Sequence, residues 1–167
     1  MNAEEVRALE DLDDAPEGER VQVVSFLIGS EEYAVDVLSV REINRLMAIT
    51  HVPNTAEEVL GVVNLRGTII PVIDLRCWFR LGETGFRPQN RIVVIEVEGR
   101  MLGCVVEQVN EVLRIDPDIV DPPGSVVSGP EAEFISGVAK LDDRLLMMLD
   151  VHRVLEEAEG PLAQMAA

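Results

Sequence analysis

The sequence is poor in basic residues and in aromatics. Fourteen lysines and arginines stand against 31 aspartates and glutamates, which gives a formal net charge of −17 at pH 7, and aromatic residues make up only 4%. Proteins that bind nucleic acid carry a basic footprint and often stack bases on exposed aromatic rings. A nucleic-acid-binding double β-barrel, the alternative from a different functional class, is therefore disfavoured.

Cysteines and long apolar runs are also scarce. Cys77 and Cys104 are far apart and lack the spacing of a metal or redox motif, so we expect free thiols. No segment approaches the roughly 18 consecutive apolar residues that suggest a membrane helix. The first twenty residues lack the basic and apolar regions of a secretory signal. A cytoplasmic protein without membrane insertion is the expectation.

Motifs that carry chemistry are missing as well. The sequence has no glycine-rich phosphate loop, no HExxH and no CxxC. His51 and His152 each stand without neighbouring ligand residues, and we interpret both as ordinary structural or surface residues. We therefore predict no catalytic residues, no metal and no cofactor, so that the protein acts through its surfaces.

Valine, isoleucine and leucine supply most of the apolar content, and they occur in short runs separated by glycine-containing turns. Such runs predict many short strands, as in a β-barrel or sandwich. Short helices fit only residues 75–82 and 150–159, with Asp150 as the N-cap of the second. Residues 1–20 form an acidic lead that we expect to be mostly disordered, and residues 160–167 are expected to be loose.

An internal repeat organises the strands. The segment "GVVNLRGTIIPVIDL" at residues 61–75 aligns without a gap with "GVAKLDDRLLMMLDV" at residues 137–151, and residues 33–43 resemble residues 102–112. Two copies this short close most easily as small β-barrels of about five strands. We predict a first lobe at residues 21–85 and a second at 86–159, joined by an apolar seam because neither lobe is large enough alone.

Four segments together resemble the CheW family of bacterial chemotaxis coupling proteins. They are "VSFLIGSEEYAVDVLSVREI", "LGVVNLRGTIIPVIDLRCWF", "IVVIEVEGRMLGCVVEQVNEVLRI" and "FISGVAKLDDRLLMMLDVHRVL", in the order and spacing of the family. The resemblance covers about residues 21–156. It implies an all-β fold of two SH3-like five-stranded barrels related by a pseudo-two-fold axis, with a short C-terminal helix and no enzymatic activity.

The resemblance also implies partners. A CheW-like adaptor couples the cytoplasmic tip of a methyl-accepting chemoreceptor to the regulatory domain of a CheA-type histidine kinase, within a scaffolded signalling array at the membrane. An adaptor of another chemosensory pathway, serving twitching or gliding motility, is the closest alternative. Neither interpretation requires a cofactor.

For the receptor, the family suggests Val40, Glu42, Arg66 and Val109. We predict an ion pair between Glu42 and Arg66, which would explain an arginine beside an apolar seam. The simpler interpretation, in which Arg66 is a solvated turn residue, stays open on the sequence alone. It is equally open whether Val40 and Val109 are plain core residues.

For the kinase, we predict a surface around Gly61, Leu65 and Ile69, where a small residue would permit close approach of the partner. Core packing explains the same three residues equally well from sequence. The second copy reads "KLDD" where the first reads "NLRG", so the two turns are expected to present opposite charge.

Overall fold

The computed structural model describes residues 20–124 and 127–163, and this part of the chain contains eleven strands and two α-helices. The strands are β1 (Val21–Ile28), β2 (Glu31–Asp36), β3 (Val40–Arg45), β4 (Val59–Leu65), β5 (Thr68–Asp74), β6 (Arg91–Val97), β7 (Arg100–Val106), β8 (Gln108–Ile115), β9 (Val120–Asp121), β10 (Ile135–Leu141) and β11 (Arg144–Leu149). The helices are α1 (Leu75–Trp78) and α2 (Val151–Ala163). The predictions for residues 1–19 and 164–167 lie outside the described residues.

The strands form two sheets, each the wall of one lobe. The five-stranded sheet has the order β3-β6-β7-β5-β4, and the six-stranded sheet has the order β8-β1-β2-β11-β10-β9. All neighbours are antiparallel except β5 with β7 and β2 with β11, which run parallel. The mainly β, two-lobed fold predicted from the sequence is confirmed.

The division of the chain between the lobes differs from the predicted split at residue 85. The first hairpin, β1–β2, belongs to the sheet that contains β8 to β11, and the β6–β7 hairpin belongs to the sheet that contains β3 to β5. Each copy of the repeat therefore gives its first hairpin to the other copy's sheet. This arrangement resembles a domain-swapped dimer joined into one chain, and it explains why consecutive boundaries do not describe the lobes.

Both faces of each sheet carry apolar side chains. One face lines the lobe's own core, around Val63 and Val72 in the five-stranded lobe and around Val23 and Leu146 in the other. The opposite faces meet in a shared core that joins both sheets and α2. The predicted apolar seam is thus the largest cluster of buried side chains in the described part of the chain.

Two local differences from the sequence prediction follow from packing. A 3-10 turn at Val37–Ser39 ends β2 and is followed by β3, a strand that the sequence pattern did not reveal. Helix α2 continues through Gly160 and Pro161 to Ala163, beyond the predicted stop. Leu162 packs against the shared core, and this burial favours the additional turn.

Candidate partner-binding site

The site is built around the tight turn between β4 and β5. Arg66 and Gly67 both adopt left-handed backbone conformations, with φ of 51° and 87°. The side-chain oxygen of Asn64 accepts a hydrogen bond of 2.8 Å from the Gly67 amide across the turn. The turn thus raises the Arg66 side chain off the sheet and leaves 75% of it exposed.

Glu42 of β3 lies beneath this arginine. The Arg66 guanidinium donates from Nη2 to Glu42 Oε2, and Asn44 Nδ2 donates to Oε1 of the same carboxylate over 2.8 Å. The hydrogen bond from Asn44, followed by the one from Arg66, lowers the pKa of Glu42. The predicted ion pair is present, and it joins β3 to the β4–β5 turn across the mouth of the five-stranded lobe.

Apolar side chains surround the pair. A cavity of about 160 Å³ lies beside Glu42 and Arg66 and is lined by Leu65 and Ile70 among others. Leu65 is half-buried against the lobe's own core, whereas Ile69 is 60% exposed. Of the three residues predicted to meet a kinase, Ile69 is thus the one whose side chain is mainly at the surface.

Gly61 has a different role from the one expected. It is buried, with φ of 143°, and an added Cβ would lie 2.0 Å from the Thr50 carbonyl oxygen. The neighbouring Val62 exchanges two backbone hydrogen bonds with Thr50, of 2.8 and 2.9 Å. The missing side chain therefore serves the close approach of this segment to β4 within the fold, not the approach of a partner to the surface.

Val40 and Val109 lie at equivalent places in the two copies. The β3–β6 register shifts between Val40 and Glu42, and the β8–β1 register shifts at the corresponding place between Val109 and Glu111. Both valines are half-buried and pack at the rim of the shared core. Neither valine lines the cavity beside Arg66. The four predicted receptor residues therefore fall into two groups: the Glu42–Arg66 ion pair and the two valines at the rim.

The sequence comparison missed a second arginine–glutamate pair. Arg144 Nη2 donates to Glu111 Oε1 over 2.9 Å, and Arg144 Nε lies 3.4 Å from Glu32 Oε1. Glu111 is the repeat equivalent of Glu42, whereas Arg144 stands two positions after the equivalent of Arg66. The signal was present in the sequence, but a strict position-by-position alignment set Asp142 against Arg66 and concealed it.

The residues that could support other chemistry are dispersed. His51 and His152 are exposed on separate segments. Burial raises the pKa of the Cys104 thiol to about 12, and burial followed by the nearby Asp74 carboxylate raises that of Cys77. Within residues 20–124 and 127–163, no group of histidine, cysteine and acidic side chains could hold a metal ion. No helix in this part of the chain has the length and apolarity to cross a membrane.

Comparison with known proteins gives this arrangement a family. The model of the CheW-like domain matches residues 22–159, nearly all of the described part of the chain. The chain belongs to the CheW-like family. The match spans both sheets, including the exchanged hairpins, so the family resemblance inferred from four sequence segments is confirmed over the whole fold.

Individual relatives agree. The probable chemotaxis protein CheW of Rhizobium etli is 32% identical over 149 residues, covering 88% of this chain and 94% of the relative. The chemotaxis protein CheW of Helicobacter pylori is 34% identical over 139 residues, covering 83% of this chain and 84% of the relative. The crystal structure of the scaffolding protein TtCheW from Thermoanaerobacter tengcongensis has a TM-score of 0.73 and 37% identity, covering 78% of this chain and 89% of that one.

Proposed function

We propose that this CheW-family chain is a non-enzymatic chemotaxis adaptor. It couples the cytoplasmic tip of a chemoreceptor to a CheA-type histidine kinase and is cytoplasmic, held at the receptor array by its partners. The observation that carries the proposal is the exposed Arg66, ion-paired to Glu42 beside an apolar surface, on a chain whose family match covers residues 22–159. The chemotaxis relatives favour this pathway over twitching or gliding motility.

The receptor surface consists of Val40, Glu42, Arg66 and Val109 in this proposal. The tip of a chemoreceptor is helical and offers an apolar stripe, which suits the half-buried valines at the rim of the shared core. The ion pair at the lobe mouth holds the shape of the neighbouring surface. Because Arg66 is largely exposed, the pair contributes about 0–1 kcal/mol to stability, so its value lies in positioning.

The kinase surface consists of Leu65 and Ile69, and the buried Gly61 sets the path of β4 beneath them. Ile69 projects from β5 with 60% of its surface accessible, and Leu65 fills the adjoining edge of the lobe core. An exposed aliphatic residue beside a rigid turn can fill a pocket on a partner without refolding. Contacts of this size belong to small, transient interfaces, so we expect weak binary affinity and stronger association in the assembled array.

Reconstitution with a cognate kinase and receptor tip tests the proposal. Kinase output is measured without the adaptor, with the wild type and with Arg66→Ala or Ile69→Glu. Arg100→Ala is a matched control for the arginine, because Arg100 lies beside the other two-residue hairpin turn of the five-stranded sheet, at the start of β7, and also pairs with a glutamate, Glu159. Phe86→Ser is the control for Ile69, since Phe86 is an exposed apolar residue, 75% accessible, on a loop of the same lobe.

We expect Arg66→Ala to reduce binding of the receptor tip and Ile69→Glu to reduce binding of the kinase, each with the other contact retained. The two control variants should couple like the wild type. Normal coupling by Arg66→Ala would remove the role assigned to the arginine. Loss of both contacts in one variant, together with a lower unfolding midpoint, would indicate a folding defect instead of a binding surface.

A further inference from the structure

Within the described residues the chain passes from one sheet to the other at two equivalent places, called crossovers here. At only one of them does a side chain hydrogen-bond to both lobes, and this arrangement is called the clamp. The first crossover is the 3-10 turn Val37–Ser39, between β2 and β3, and the second is the single residue Glu107, between β7 and β8. Leu38 in the first copy is equivalent to Glu107 in the second. The strand registers make Val40 equivalent to Val109 and Glu42 equivalent to Glu111, and the same offset relates Leu38 to Glu107. The predicted receptor residue Val40 follows Leu38 by two positions, and Val109 follows Glu107 by two positions.

At the second crossover, one carboxylate oxygen joins both lobes. Glu107 Oε1 accepts from Arg76 Nη1 over 2.6 Å and from the Gly29 amide over 3.0 Å. Arg76 belongs to α1, at the end of the five-stranded sheet's β5, and Gly29 lies in the β1–β2 turn of the six-stranded sheet. Both side chains are partly buried, with 34% of Arg76 and 24% of Glu107 exposed, so solvent screens the pair less than at an open surface.

Further hydrogen bonds hold Arg76 and the backbone of Glu107 in place. Arg76 Nε donates to the Leu81 carbonyl over 2.9 Å, which directs the guanidinium toward Glu107. The buried Asn90 donates from Nδ2 to the Glu107 carbonyl over 2.9 Å, so the backbone of the crossover is held as well as its side chain. These bonds leave few alternative positions for the segment that leads to Val109.

The first crossover has the opposite character. Leu38, the repeat equivalent of Glu107, has no hydrogen-bond acceptor in its side chain and is 91% exposed. His152, the repeat equivalent of Arg76, is exposed on α2. The turn there is held locally instead, by the Asp36 carboxylate that accepts from the Leu38 amide over 2.9 Å. The two copies therefore support their rim valines by different means.

We propose that Arg76 and Glu107 are positioning residues for receptor binding: they hold the second crossover rigid together with the start of β8, so that Val109 is the fixed side of the receptor surface and Val40 the adaptable side. This proposal rests on the proposed function, because it assigns a role within the same receptor surface. A rigid contact loses less conformational freedom on binding, so loosening it weakens the complex without removing any contact with the partner.

The test uses the full chain with Arg76→Gln, Arg76→Lys and Glu107→Gln, measured by residue-resolved amide hydrogen exchange and by binding of a receptor-tip fragment and of the kinase regulatory domain. Arg100→Gln is the matched control, since Arg100 has 40% of its side chain exposed and pairs with Glu159, so the pair involves neither crossover. In Arg76→Gln we expect at least about fivefold faster exchange at Gly29. The receptor-fragment Kd should rise about three- to tenfold, with kinase binding retained.

Arg76→Lys keeps a cation near Glu107 and should fall between the wild type and Arg76→Gln, whereas Arg100→Gln should leave Gly29 exchange unchanged. If Arg76→Gln does not fold, Glu107→Gln decides the matter: it removes the charge that pairs with Arg76 but keeps an acceptor for the Gly29 amide, so exchange at Gly29 and the receptor-fragment Kd should both still rise, by smaller factors. Unchanged exchange at Gly29, or faster exchange with unaltered receptor binding, would overturn the proposal and leave the proposed function standing. A wild-type chain that fails to bind the receptor fragment would refute the receptor surface itself, and the positioning role with it.

Discussion

The turn at Arg66 allows stability and function to be separated by one substitution. A non-glycine residue in the left-handed region costs about 1–2 kcal/mol, and asparagine tolerates that region better than most residues. Arg66 has φ of 51° followed by Gly67 at 87°, and the β6–β7 turn repeats this geometry with Glu98 at 52° and Gly99 at 79°. Both turns therefore place a charged residue where asparagine or glycine is preferred.

Replacing each charged residue by asparagine gives a matched pair. Glu98→Asn relieves the backbone, and Glu98 forms no ion pair within the described residues, so we expect the free energy of unfolding to rise by about 0.5–1 kcal/mol. Arg66→Asn gains the same relief but loses the pair with Glu42, worth about 0–1 kcal/mol, so its stability should remain within about 1 kcal/mol of the wild type.

The two variants, Arg66→Asn and Glu98→Asn, should differ clearly in receptor binding. Urea unfolding at pH 7 measures both free energies, and the reconstituted receptor–kinase assay measures coupling. We expect Arg66→Asn to lose receptor binding while it remains folded, and Glu98→Asn to couple normally. Full coupling by a folded Arg66→Asn protein would show that the guanidinium is dispensable. Destabilisation of Arg66→Asn by several kcal/mol would show instead that the ion pair has been undervalued.

Three further predictions concern stability. Gly61→Ala should lower the free energy of unfolding by about 3 kcal/mol or more, because its Cβ would lie 2.0 Å from the Thr50 carbonyl oxygen. Gly85→Ala, also at positive φ but with open space around it, should lower it by about 1 kcal/mol, and equal losses in urea unfolding would refute the steric argument. The Glu42 carboxylate has a lowered pKa when folded, so its contribution to the free energy of unfolding is present above about pH 4.3 and declines as the pH falls toward the folded pKa. The stability difference between the wild type and Glu42→Gln should therefore shrink on acidification, and a constant difference from pH 7 to 3 would contradict this. The Tyr33 hydroxyl is buried without a hydrogen-bond partner in the described part of the chain, so Tyr33→Phe should leave stability unchanged or raise it by about 1 kcal/mol, and a clear loss in thermal unfolding would reveal a partner.

Local features of the fold were predictable from sequence because they depend on neighbours in the chain. Hairpins around Gly67 and Gly99 follow from short apolar runs that flank a glycine-containing turn. The predicted Asp150 cap of α2 follows from a carboxylate placed before a helix, where it accepts from the Arg153 amide over 3.2 Å. The ion pair at Arg66 was predicted only through the family resemblance, since nothing local brings residue 42 to residue 66.

The exchange of hairpins between lobes could not be predicted in the same way. Pairing of β2 with β11 joins Tyr33 to Met147, and neither segment's periodicity carries information about the other. The repeat identified the copies but gave no preference between self-paired and exchanged hairpins, because the two arrangements bury the same apolar faces. The placement of Gly61 in the interior depended on the same long-range packing.

The exchanged hairpins also set an order on biosynthesis. The five-stranded sheet is complete once Val106 has been made, but β1 and β2 cannot find all their strand partners until Leu149 follows. An isolated hairpin is marginal in water. Strands β1 and β2, with Val24 and Phe26 destined for the shared core, therefore wait for the 113 residues from Val37 to Leu149, which takes about 6–23 s at roughly 5–20 residues per second. A nascent chain stalled in this interval exposes apolar strand surface, so chaperone demand should concentrate on β1 and β2, because the partner β11 is made after the other strands of the fold.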